Sequence, residues 1–237
     1  MEVNAVEKPS NLAPVDVWED FSALEEFKDE ATEIIPSLLE EGTRRDVMVV
    51  TGENASGKSL AFMLINQLGR NFAKEDKIAL EVMDIGMGRR TTSGVAKAFM
   101  FGDENIDSTG NVSIKVMQTS VSTSKNRTNF HYLMLDEPDI GVGEGYHNAI
   151  GQFLSNFAND MPEKCLGLVV ATHSRRIAEK LLDAGASSLR LGTDLRPVRE
   201  WVREGDIEKS LDDLINLKDV CGDRFRAVSK MLNGQRS

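Results

Sequence analysis

The sequence predicts an α/β fold: a mainly parallel β-sheet flanked by helices on both faces, with further helices at the N- and C-terminal ends. Three observations point there. Short, near-continuously apolar runs, among them Asp46–Thr51, His131–Leu135 and Leu166–Ala171, read as strands buried on both sides. Between them lie stretches whose apolar residues recur at helical spacing, such as Ile150, Phe153, Leu154 and Phe157. Polar clusters rich in chemistry follow directly on three of the strands, where sheets of this kind bind their ligands.

Taken in order, residues 1–14 read as a flexible lead-in. Leu24, Phe27, Ala31, Ile34, Ile35, Leu38 and Leu39 then keep a helical period. Pro36 interrupts that period, which predicts a kink or two shorter helices, and Gly42 suits a helix C-cap. After the Asp46–Thr51 strand comes a Gly-rich turn, a helix over Ser59–Leu68 and a second strand over Ile78–Met83. Residues 84–110 carry no assignable pattern. Asn111–Ser124 fits a helix, or over Val112–Met117 a strand. Ile177, Leu181 and Leu182 mark a helix after the Leu166–Ala171 strand, and Ser188–Leu191 reads as a final strand. From about residue 204 two amphipathic helices are expected, on Ile207, Leu211, Leu214 and Ile215 and then on Phe225, Val228, Met231 and Leu232. The chain divides accordingly into a lead-in and helices over 1–43, a core over 44–195 and a helical tail over 196–237.

Composition narrows the function. A net charge of −10 argues against broad, sequence-independent DNA binding, although a local basic groove remains compatible with it. No apolar run approaches the roughly 18–20 residues that cross a bilayer, so no membrane role is expected. The acidic N-terminus lacks an apolar signal core, and Cys165 and Cys221 are too few for a disulfide framework or a zinc site. A cytoplasmic setting follows.

Gly52-Glu53-Asn54-Ala55-Ser56-Gly57-Lys58-Ser59 matches G-x-x-x-x-G-K-[ST] in full, between a strand and the Ser59–Leu68 helix, and these residues with Leu60 are the expected nucleotide-binding set. This is a P-loop pattern. Its glycines let backbone N–H groups turn toward a phosphate chain, and the following helix aims its N-terminal dipole at the same charge. Lys58 is expected to neutralise the β- and γ-phosphates, and the Ser59 hydroxyl to ligate Mg²⁺. The His131–Leu135 strand ends in Asp136-Glu137-Pro138. Asp136 is the expected second Mg²⁺ ligand, and Glu137 the general base that polarises the attacking water. Leu168–Ala171 runs into Thr172-His173-Ser174, which places His173 near the γ-phosphate and Glu137.

As a set, these motifs resemble the ATP-binding-cassette ATPases over about residues 44–192. Asp136-Glu137-Pro138-Asp139-Ile140-Gly141 is more similar to the strand end of the soluble DNA-repair, chromosome-maintenance and overcoming-lysogenization-defect ATPases than to that of transporter subunits. The resemblance implies ATP as ligand, Mg²⁺ as cofactor, and a homodimer closed around nucleotide. It also implies a signature loop that caps the partner's γ-phosphate. The usual LSGGQ string is absent; Ser108 and Gly110, within Asp107–Asn111, are the candidates, with Ser120–Ser124 as a second. No glutamine follows the Ile78–Met83 strand, leaving Asp84 or an unassigned residue in that place. Trp18 and Phe21 suit packing against the sheet better than stacking on adenine. Only 78 positions separate Lys58 from Asp136, which excludes a long coiled-coil arm.

The expected function is therefore Mg²⁺-dependent ATP hydrolysis that drives or gates a partner process, nucleic-acid handling or defence foremost, with an unidentified protein partner. Two alternatives stay open. One is a phosphotransferase acting on a small molecule or a nucleic-acid end, for which Arg89-Arg90 is the only candidate lid. The other is a nucleotide-gated interaction switch of low turnover. Arg175-Arg176 fits a helix surface or a reach across a dimer, and Trp201 fits a packing anchor for the tail.

Overall fold

A computed structural model describes residues 9, 11–23, 35–86, 108–217, 222 and 226. Expectations for 24–34, for the Arg89-Arg90 pair and for Phe225, Val228, Met231 and Leu232 fall outside the described residues.

Helix α1 (Pro14–Ala23) opens the fold. Strands β1 (Ser37–Glu40) and β2 (Arg44–Gly52) follow, then helix α2 (Lys58–Glu75) and strand β3 (Glu81–Gly86). Helix α3 (Thr109–Lys125), strand β4 (His131–Asp136), helix α4 (His147–Asn159) and strand β5 (Cys165–Ala171) continue the alternation. Helix α5 (Arg175–Asp183), strand β6 (Ala186–Leu191) and helix α6 (Val198–Glu204) complete it, before a helical turn at 211–217. One six-stranded sheet has the order β1-β6-β2-β5-β4-β3. All its pairings are parallel except β1 with β6.

Burial on both faces explains the apolar strands. Met48, Val50, Tyr132, Met134 and Val169 face α1 and α2, whereas Val47, Val49, Leu133, Leu135 and Val170 face α3 to α6. Each such side chain removed from water contributes roughly 1.5–3 kcal/mol, so the two-sided sheet is the main source of stability. Trp18 and Phe21 lie in the first of these layers, their rings 5.4 Å apart.

The structure departs from the sequence expectations in four places. Leu38 and Leu39 are in strand β1, not a helix: Pro36 ends any helical phase, and the free edge of β6 accepts Ser37–Glu40 in antiparallel register. Gly42 is consequently no helix cap. It sits where a Cβ would fall 2.3 Å from the Gly185 carbonyl oxygen, so backbone contact dictates it. The lead-in is docked over its last residues: Leu12 is fully buried and its carbonyl accepts a 2.6 Å hydrogen bond from the Tyr132 hydroxyl. Residues 109–125 form a helix throughout, closing the strand alternative for Val112–Met117. The second strand also runs later than expected, ending at Gly86, so Asp84 lies inside it opposite Met134 and not in a loop beyond it.

Candidate functional site

The parallel strands β2, β4 and β5 release their chains at one edge of the sheet, which gathers the three polar clusters. Ala171 lies opposite Val50 on one side and Asp136 on the other. The Thr172 N–H donates to the Val50 carbonyl at 3.1 Å, and the Glu137 N–H to the Ala171 carbonyl at 2.9 Å. Backbone bonds therefore fix the separation of the P-loop, the acids and the histidine before any side chain is considered.

In the P-loop, Gly52, Ala55 and Gly57 have φ of 150°, 60° and 105°. Gly57 is the N-cap of α2 and offers no side chain to its first N–H groups. A helix start without an internal cap favours an anion. Lys58 is buried, and its ammonium donates to the carbonyls of Gly52 and Glu53, both at 3.0 Å. Burial pushes this lysine down to about 8, against the opposing pull of Glu137 and Asp136. The buried hydroxyls of Thr51 and Ser56 have no hydrogen-bond partner. A ligand that accepts from them would remove that cost.

The Ser59 hydroxyl donates to an Asp136 oxygen at 3.3 Å. Glu137 follows in the left-handed region, φ 55°, and lines the same cavity as the P-loop. Its Oε1 lies 3.5 Å from His173 Nε2, and this histidine is the main reason its carboxyl is held below the usual range. A cavity of about 310 Å³ is walled by Asn54, Ser56, Lys58 and Leu60 on one side and by Glu137 and His173 on the other.

Sequence reasoning missed the residues that brace this edge. The Thr172 hydroxyl donates to Asp139 at 2.8 Å and accepts from the Ser174 N–H at 2.9 Å, and Ser174 in turn caps α5. Thr and Ser on either side of a histidine were the available signal. The Ser113 hydroxyl on α3 donates to the Ile140 carbonyl at 2.8 Å. Arg190, 1% exposed at the end of β6, bonds Asp194 at 2.8 Å and stands 4.7 Å from the Trp201 ring. An arginine between Leu189 and Leu191, four residues before an aspartate, was its sequence signal.

Ser108 caps α3, accepting from the Asn111 N–H at 3.4 Å. It is exposed and outside the P-loop cavity of its own chain. Gly110 packs on Gly141, where a Cβ would meet the Gly141 carbonyl oxygen at 2.5 Å. Ser120 and Ser124, by contrast, are buried: Ser120 bonds the Val116 carbonyl and Ser124 bonds His131 at 2.7 Å. Within the second signature candidate, Ser120 and Ser124 are therefore spent inside the core, whereas Ser122 and Thr123 are exposed. Arg175 and Arg176 are exposed at the start of α5, with Arg175 donating to the Val202 carbonyl at 3.3 Å. Trp201 anchors α6, 1% exposed, with its indole N–H on Asp206 at 2.8 Å.

Among the described residues, no cluster of three or more His, Cys, Asp or Glu is placed to hold a metal. The hard oxygens of Ser59 and Asp136 nevertheless suit a Mg²⁺ that takes its remaining ligands from phosphate and water. No described helix is long and apolar enough to cross a membrane.

No protein-family model and no curated protein matches the chain. Among solved structures, the Orc1 protein of Aeropyrum pernix, in complex with DNA, is 13% identical over 73% of this chain, with a TM-score of 0.40. The aligned part spans about half of that protein, 48%. A likeness of that extent carries no functional argument; the sheet order and the strand-end geometry carry the assignment of fold. The chain is an α/β protein whose mostly parallel sheet and P-loop edge resemble those of P-loop NTPases.

Proposed function

We propose that this protein is a Mg²⁺-dependent ATPase of the ATP-binding-cassette type that closes as a homodimer around ATP. The observation that carries the reading is the placement beside the P-loop of two adjacent acids with separate partners, of which Glu137 lines the phosphate cavity. Asp136 faces Ser59 at 3.3 Å and Glu137 faces His173 at 3.5 Å.

Residues 52–60 bind the phosphate chain through backbone N–H groups, and Lys58 leaves its two carbonyls to meet the β- and γ-phosphates. Ser59 and Asp136 hold Mg²⁺, which when bound neutralises charge on the phosphate oxygens. Glu137 orients the attacking water and takes its proton; His173 keeps that carboxylate ionised and aimed. In the dimer, Ser108 and the N–H groups at the start of α3, including that of Gly110, cap the γ-phosphate held by the other subunit. Closure on ATP and opening on hydrolysis drive a partner process in the cytoplasm, nucleic-acid handling or defence foremost.

The test is the solution mass of Glu137→Gln with and without Mg·ATP. Removal of the base with Asp136 intact traps a two-chain species in ATP, and Ser108→Arg in the same background abolishes it. A single-chain mass at saturating ATP overturns the dimer.

A further inference from the structure

We infer that residues 206–217 are a strap latched onto the P-loop, and that this latch restrains the nucleotide site until ATP and a second subunit displace it. The inference rests on the nucleotide reading above and names a regulation of that same site.

The strap has a firm root. Asp206 accepts from the Trp201 indole, and the Gly205 carbonyl accepts from Arg196 at 3.0 Å. Beyond the root its hold is slight. Ser210 and Asp213 form a reciprocal cap, with the Ser210 hydroxyl donating to Asp213 at 2.7 Å and the Asp213 N–H donating back at 3.1 Å. Those bonds shape the 211–217 turn without tying it to the body. Leu211, Leu214 and Ile215 are each about two-thirds exposed or more, at 71%, 65% and 65%.

The tie to the body is Lys209, whose ammonium lies 2.7 Å from Glu53 Oε2. Glu53 is the second residue of the P-loop. Its other oxygen accepts from the Thr193 hydroxyl and N–H at 2.7 and 3.1 Å, so the loop is pinned to the turn after β6 and to the strap together. The strap also roofs a cavity of about 390 Å³ that meets the phosphate cavity at Asn54 and His173. In the proposed dimer, a second subunit that reaches a nucleotide in the cradle would meet the strap at this shared rim. A triphosphate that enters the cradle shifts Glu53 off Thr193 and Lys209, and a second subunit competes for the same rim. Either one loosens the latch.

The experiment uses the full chain as wild type, Lys209→Arg and Lys209→Glu. Hydrogen exchange over 206–217 is followed without nucleotide, then binding of a fluorescent ATP analogue and the solution mass in Mg·ATP. Lys209→Glu is expected to exchange about fivefold faster over 206–217, to bind the analogue about threefold more tightly, and to dimerise at lower ATP; Lys209→Arg stays close to wild type. Unchanged exchange in Lys209→Glu overturns the latch while nucleotide binding by wild type leaves the proposed function standing. Faster exchange with unaltered binding and mass overturns the restraint. Failure of every variant, wild type included, to bind the analogue sinks the proposed function and the restraint with it.

Discussion

Two neighbouring strand ends, after β2 and after β6, use similar residues to opposite effect. The turn after β2 leaves part of its polar set uncommitted: Glu53 is paired, but the hydroxyls of Thr51 and Ser56 are buried without hydrogen-bond partners, and Lys58 rests on backbone carbonyls. The turn after β6 is densely paired, although Arg190 Nη1 is left without a hydrogen-bond partner. Asp194 accepts from Arg190 and, through both its oxygens, from Arg196, at 2.8 to 2.9 Å, while Arg196 continues to Glu204 at 2.8 Å. These arginines hold the Asp194 carboxyl far below the usual range. One strand end spends most of its polar groups on holding the fold; its parallel neighbour keeps two hydroxyls for a ligand. The two unfilled hydroxyls after β2 are informative, because a ligand that accepts from them would remove the cost of their burial.

The contrast can be broken or sharpened by substitution. The largest effect is expected at the ligand side: Glu137→Gln lowers ATP turnover about 10²–10⁴-fold by steady-state assay, with little change in melting temperature. A loss under tenfold argues against Glu137 as the base. On the structural side, Asp194→Asn leaves the buried Arg190 guanidinium without its carboxylate. A loss of roughly 3–5 kcal/mol in urea unfolding is expected, with turnover by the folded fraction nearly intact.

Lys58→Met should reverse that sign. The folded-state value of Lys58, about 8, lies below its ordinary 10.5. The burial penalty on the charged lysine is therefore complete below pH 8 and fades as pH rises from 8 toward 10.5. Nucleotide-free Lys58→Met should be more stable than wild type at pH 7, by at most about 3 kcal/mol, with the advantage shrinking by pH 10 and nucleotide binding lost. A destabilised variant at pH 7 would show that the two carbonyl bonds outweigh burial. Gly110→Ala should cost roughly 1–3 kcal/mol, because the Gly141 backbone cannot yield as a flexible side chain does. The smallest effect concerns pH. His173 holds the Glu137 carboxyl low, so His173→Ala should move the acid limb of residual turnover to higher pH. An unmoved limb would assign that limb to another group.

How much of this was legible beforehand depended on whether a pattern had one physical solution. Gly52–Ser59 has one: a backbone that turns inward and a lysine that must be buried there. The apolar strands were equally readable, since two-sided burial leaves no polar phase. Leu38 and Leu39 fit a helix face and a short edge strand alike, and only the free edge of β6 decides between them. Glu53 and Lys209 are 156 positions apart, and no periodicity relates an exposed lysine in the tail to a glutamate in a loop. The fit of Gly110 on Gly141 was likewise invisible, because it depends on how closely two backbones approach.

That last contact has a mechanical consequence. With no side chain between Gly110 and Gly141, and with Ser113 fastened to Ile140, the tip of α3 and the turn after the acids form a joint without slack. A displacement of the acids is not absorbed by rotating side chains. It is delivered along the axis of a 17-residue rod, roughly 25 Å from end to end. Under the proposed function, a displacement at the phosphate site would have a stiff route along α3, and a distance probe between the two ends of α3 and the P-loop would register it as a rigid translation.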